Sequence, residues 1–66
     1  GNIKLNDTQI KILDSLTENK YLSATKLAEI TGISKRNVEK NIKKLKESGV
    51  LLRHGSPKSG YWEIVD

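Results

Sequence analysis

The apolar positions fall first at helical spacing and then, past the middle of the chain, at strand spacing. Ile10, Ile12, Leu13 and Leu16 lie on one side of a helical projection, with Lys11, Asp14, Ser15 and Glu18 on the other. Asn6 precedes this stripe as a cap, Gln9 can reach back to it in a capping box, and Leu5 with Ile10 forms a hydrophobic staple. A helix is therefore predicted to run through Asn19. Tyr21 and Leu22 read as a short extended connection, after which Ser23 caps a second helix over residues 24–31. That helix turns Ala24, Leu27, Ala28 and Ile30 inward and ends at Gly32, where a left-handed residue meets no Cβ clash. The turn is only Gly32, Ile33 and Ser34. Ser34 then caps a third helix with Val38, Ile42 and Leu45 as its buried stripe, and Gly49 ends it. Leu22 with Leu27 and Ile33 with Val38 repeat the staple spacing.

From Val50 the pattern changes. Residues 50–54 and 61–65 are apolar and β-prone, and residues 55–60, with a glycine at each end and Pro57 inside, separate them as a hairpin loop. Alternation in the second strand places Trp62 and Ile64 on one face and Tyr61, Glu63 and Val65 on the other. Trp62 is the candidate for closing the core beneath the hairpin. The predicted architecture is mainly α: a three-helix bundle followed by a C-terminal β-hairpin, one domain over residues 1–66 with an ordered core from about residue 5 to 65.

Composition removes several classes of function. With no cysteine and a single histidine, neither a disulfide framework nor an all-protein zinc site is available, so packing of regular elements has to stabilise the domain. No apolar run approaches the roughly 18 residues of a membrane span and no signal-peptide organisation is present, so a membrane partner is not expected and a cytoplasmic location is. The chain starts at Gly1 and contains no methionine, which reads as a domain excised from a longer protein. No Ser, His and Asp group as nucleophile, base and orienting acid, and no glycine loop of phosphate-cradling form occurs. No catalytic residue, cofactor, metal or small-molecule substrate is expected. His54, at a strand end, reads as a polar surface residue.

Charge redirects attention to the third helix. The chain carries 12 Lys and Arg against 8 Asp and Glu, a net charge of +4. Residues 34–60 hold eight of the basic residues and only Glu39 and Glu47 of the acidic ones, a local charge of +6, leaving −2 for the rest. Segregated positive charge is what a polyanion-binding surface requires, since attraction decays over about 10 Å at 0.1 M salt. In projection, Arg36, Lys40, Lys43 and Glu47 centre the face opposite Val38, Ile42 and Leu45, flanked by Asn37 and Lys44. A plainer reading also exists: Lys35 with Glu39 and Lys43 with Glu47 have the spacing of ion pairs on a solvated helix.

Two helices joined by a three-residue, glycine-containing turn, the second strongly basic, resemble the DNA-binding helix-turn-helix. Leu27, Ala28, Gly32, Ile33, Val38 and Ile42 fall where that motif places small or apolar residues, whereas Thr31 stands where an aliphatic residue is more common and Ile30 would supply the contact. With the hairpin added, the resemblance is to winged helix-turn-helix domains and covers the chain from about Leu5 to Val65. Residues 33–45 and the segment from Gly55 to Trp62 further resemble the C-terminal winged helix of divergent ATPase-like, helicase-related transcriptional regulators of the Schlafen AlbA type. This implies a targeting module for transcription regulation, any nucleotide-dependent activity lying in another part of the parent protein. Pro57 and Trp62 are also similar to the left-handed-DNA-binding winged helices, but Glu39 and Lys43 stand where that group has its Asn and Tyr.

The resemblance implies double-stranded DNA as partner, with residues 34–44 as recognition helix and residues 55–60 as wing. The N-terminal residues of such a helix lie nearest the base edges, which nominates Lys35, Arg36, Asn37 and Lys40, with Arg36 suited to guanine and Asn37 to adenine. Ser34, Lys43, Lys44, Arg53 and Lys58 are the phosphate candidates. Tyr61 and Trp62 read as packing residues before base-stacking ones. The alternative is a protein-docking or dimerisation winged helix without DNA contact, for which Val65, Tyr21 and Leu51 are the apolar surface candidates; homodimerisation within the parent protein belongs to the same expectation.

Overall fold

The computed structural model describes residues 4–56 and 59–65. Three helices, α1 (Asp7–Glu18), α2 (Ala24–Thr31) and α3 (Lys35–Glu47), precede two strands, β1 (Leu51–His54) and β2 (Tyr61–Ile64). This is the expected three-helix bundle with a C-terminal hairpin.

Each helix starts where its cap does. Asn6 accepts the Gln9 N–H at 2.8 Å while the Gln9 side chain accepts the Asn6 N–H at 3.1 Å, completing the capping box. Ser23 and Ser34 accept the N–H groups of Lys26 and Asn37, both at 3.2 Å. These bonds satisfy amides that have no partner within their own helix. Gly32 ends α2 at φ +75°, a conformation that costs a side-chain-bearing residue about 1–2 kcal/mol.

The core is a contiguous cluster of Ile12, Leu13, Leu16, Leu27, Val38, Ile42, Leu45 and Leu51, with Leu5, Leu22, Ile33, Trp62 and Ile64 packed around it. Two predicted core residues stand outside. Ile10 is 43% exposed and Ile30 59% exposed, because each projects roughly 110° from the centre of its helix's buried face. Leu51 is fully buried, so the surface role considered for it passes to the exposed Leu52.

The place considered for Ile30 at the end of α2 is filled by Thr31. It is half-buried, with its hydroxyl donating to the Leu27 carbonyl at 2.6 Å and accepting the Ile33 N–H at 3.3 Å. A threonine can occupy an aliphatic position because both hydrogen-bonding roles of its oxygen are met.

The hairpin is antiparallel, pairing Leu51 with Ile64, Leu52 with Glu63, Arg53 with Trp62 and His54 with Tyr61. Val65 N–H to the Val50 carbonyl, at 2.8 Å, extends the ladder by one pair. Trp62 also ties the hairpin to the α1–α2 connection: its N–H donates to the Lys20 carbonyl at 2.9 Å and its indole Nε1–H to the Leu22 carbonyl at 3.1 Å. The predicted alternation holds, with Trp62 and Ile64 half-buried and Tyr61, Glu63 and Val65 exposed.

At the base of the wing Gly55, at φ +82°, and Gly60 lie back to back, and Gly60 N–H donates to the Ser56 carbonyl at 2.7 Å. A Cβ on Gly60 would overlap the His54 carbonyl oxygen and stand 2.5 Å from that of Ser56. Gly60→Ala is therefore expected to open the wing at a cost of about 1–3 kcal/mol, the range for forced overpacking. Amide hydrogen exchange at residue 60, whose N–H closes onto the Ser56 carbonyl, and at Tyr61 measures it: accelerated exchange is the expected result, and wild-type protection would show that the loop can take another closed form.

Candidate nucleic-acid interface

Helix α3 buries Val38, Asn41, Ile42 and Leu45 and exposes every one of its charged residues. Six of its thirteen residues are Lys or Arg. Among the described residues neither Lys35 with Glu39 nor Lys43 with Glu47 forms the ion pair its spacing permits; Lys26 pairs with Glu29 at 3.5 Å, and the His54 ring meets the Glu63 carboxylate at 2.6 Å. The positive charge of α3 thus has no acidic partner outside the helix among the described residues.

Its placement is also unfavourable for the free helix. The first turn holds Lys35 and Arg36 and no acidic residue, so two cations sit at the positive end of the helix dipole. Each costs about 0.3–1 kcal/mol at an exposed site, a cost that an anion bound beside them would reverse.

Arg36, Lys40 and Lys43 centre the solvent face. Lys35, Glu39 and Lys46 occupy the flank toward the hairpin; Asn37 and Lys44 occupy the other. Ser34 spends its acceptor on the cap, and its hydroxyl proton remains available for donation to an anion. The Asn37 side-chain oxygen already holds the Asn41 amide at 3.1 Å, and the same amide donates to the Asn37 carbonyl at 2.8 Å. Asn41 is a functional-helix residue that the apolar pattern misses: it is buried between Val38 and Leu45 because it can turn its polar group back onto its own helix.

An open groove of about 570 Å³ separates α3 from the wing, lined by Lys35, Glu39, Arg53 and Trp62 together with Ser23 and Thr25 at the start of α2. Arg53 has its guanidinium 4.8 Å over the Trp62 ring and donates to the Ser56 carbonyl at 3.3 Å, which fixes a positive charge on the groove wall. The face of Trp62 is thus covered by Arg53, with the Lys46 ammonium 6.0 Å from the same ring, in keeping with packing rather than base stacking. Lys58 and Pro57 lie outside the described residues. His54 joins the outer face of the hairpin, stacked 5.0 Å from Tyr61 and bonded to Glu63.

Helix, glycine turn, basic helix and hairpin together define a winged helix-turn-helix domain. The sequence model of the winged helix-turn-helix DNA-binding family matches residues 5–51, and the chain belongs to that family. The match spans the three helices and ends as β1 begins, so the hairpin is the structure's own contribution. No curated protein and no solved structure matches the chain. Among the described residues no helix is long and apolar enough to cross a membrane.

Proposed function

We propose that this domain binds B-form DNA by inserting α3 into the major groove and laying the wing along the flanking backbone. The observation that carries the reading is the exposed basic face of α3, unpaired among the described residues, in a chain of a DNA-binding family. A helix with its side chains is about 10–12 Å across and the major groove about 12 Å wide, so α3 fits with that face inward. Arg36 and Lys40 address base edges directly, and Lys35 does so from the wing side. Asn37 reaches them only from the opposite flank while sharing its oxygen with Asn41. Ser34, Lys43, Lys44, Arg53 and Lys58 hold phosphates. Residues 1–66 act as the targeting module of a transcriptional regulator, in line with the Schlafen AlbA-type likeness of residues 33–45.

A second reading, docking of a protein or of another copy, has one observation in its favour. Tyr21, 63% exposed, meets Tyr61 edge-on at 6.2 Å, and the exposed Leu52 and Val65 share the outer face of the hairpin with Tyr61, interrupted by His54 and Glu63. Fluorescence anisotropy with a labelled random-sequence duplex separates the two. The DNA reading expects a steep, linear fall of log affinity with log salt between about 50 and 200 mM; absence of binding at the lowest salt transfers the function to the hairpin face.

A further inference from the structure

Glu39 stands on the α3 flank facing the wing, one turn after Lys35 and one turn before Lys43. It lines both the groove containing Arg53 and Trp62 and the adjoining one containing Ile42, Lys43 and Lys46. It is exposed, and among the described residues it makes no ion pair or hydrogen bond.

A carboxylate in this place is repelled by the phosphates that the neighbouring lysines attract, so it opposes sequence-independent binding. It gains only where it meets a donor. In the major groove the donors are the exocyclic amino groups of cytosine and adenine. Adenine sets its N7 acceptor beside the amino group, against the second carboxylate oxygen, whereas cytosine offers N4–H₂ alone; guanine and thymine present acceptors.

We propose that Glu39 is a specificity-determining residue that accepts a hydrogen bond from the N4 amino group of a cytosine in the major groove. The inference rests on the DNA-binding reading above. Three residues of helix rise span about 4.5 Å and successive base pairs about 3.4 Å, so Arg36 and Glu39 address neighbouring pairs. A guanine contact by Arg36 and a cytosine contact by Glu39 would define a short G·C-containing element of the target.

Selection from a randomised duplex pool with the full chain, with E39Q and with E39A tests this, followed by titration of the selected duplex and its single-base variants. The wild type is expected to select cytosine at one position and to bind it about 5- to 150-fold more tightly than guanine or thymine there. E39Q should move that preference to adenine, since a carboxamide pairs with adenine N6 and N7. E39A should lose the preference and bind random duplex more tightly than the wild type. Identical base preferences for all three proteins overturn the role of Glu39 while leaving DNA binding intact. Failure of the wild type to bind any duplex at low salt overturns both.

Discussion

Replacing Leu27 with alanine is expected to destabilise the chain by about 2–5 kcal/mol, the range for truncating a buried leucine. Leu27 is the one fully buried residue of α2. A helix of eight residues is too short to persist alone, because the cost of nucleating it is recovered only by docking its apolar side. Without the Leu27 side chain, α2 has the half-buried Ala24, Ala28 and Thr31 to hold it against α1 and α3. A domain of 66 residues has about 3–10 kcal/mol of total stability, so the substitution removes a large share of it. Urea denaturation followed by circular dichroism should show the loss, with Ile30→Ala, at an exposed position on the same helix, changing stability by about 0.5 kcal/mol or less. A change below about 1 kcal/mol for Leu27→Ala would mean that α2 is held by something other than this contact.

Neutralising Lys43 and Lys44 together should weaken binding to every duplex and flatten its salt dependence by about 1.8 in the slope of log affinity against log salt. Each lysine that contacts a phosphate displaces condensed counterions and contributes about 0.9 to that slope. Both side chains are exposed on α3 and form no ion pair among the described residues, so Lys43→Gln with Lys44→Gln removes charge and leaves the buried stripe untouched. Lys11→Gln is the control, because it removes one charge from the solvent side of α1. An unchanged slope in the control ties the effect to the α3 face. Equal flattening per charge removed, in both proteins, would show that net charge alone governs binding and that α3 is no privileged surface.

The two experiments probe information that is local in different degrees. The caps at Asn6, Ser23 and Ser34, the left-handed Gly32 and the stripe Val38, Ile42, Leu45 were legible in the sequence, because each depends on residues within about a turn of one another. Ile10 and Ile30 were misplaced for a related reason. They extend an apolar periodicity, but a helix buries only the arc its neighbours cover, and the packing of α1 and α2 leaves these two beyond it. Asn41 shows the reverse error: a polar residue on the buried arc is concealed by composition and accommodated by a hydrogen bond to Asn37, its neighbour one turn back.

The candidate interface divides along the same line. The basic residues of α3 and the direction of their face could be read from spacing, since the helix itself fixes which side chains point together. The relation of that face to the wing could not. It is set by Arg53 lying over Trp62, by Trp62 donating to Leu22 forty residues away in sequence, and by Gly60 closing against His54 and Ser56. Glu39 gains its place opposite Arg53 only once the hairpin has folded back toward α3. The sequence by itself thus determined the elements, their ends and the charge of the exposed helix, through interactions spanning a few residues. Which apolar residues are buried, and which charges share a groove, was decided by tertiary packing, because those distances depend on contacts between segments remote along the chain.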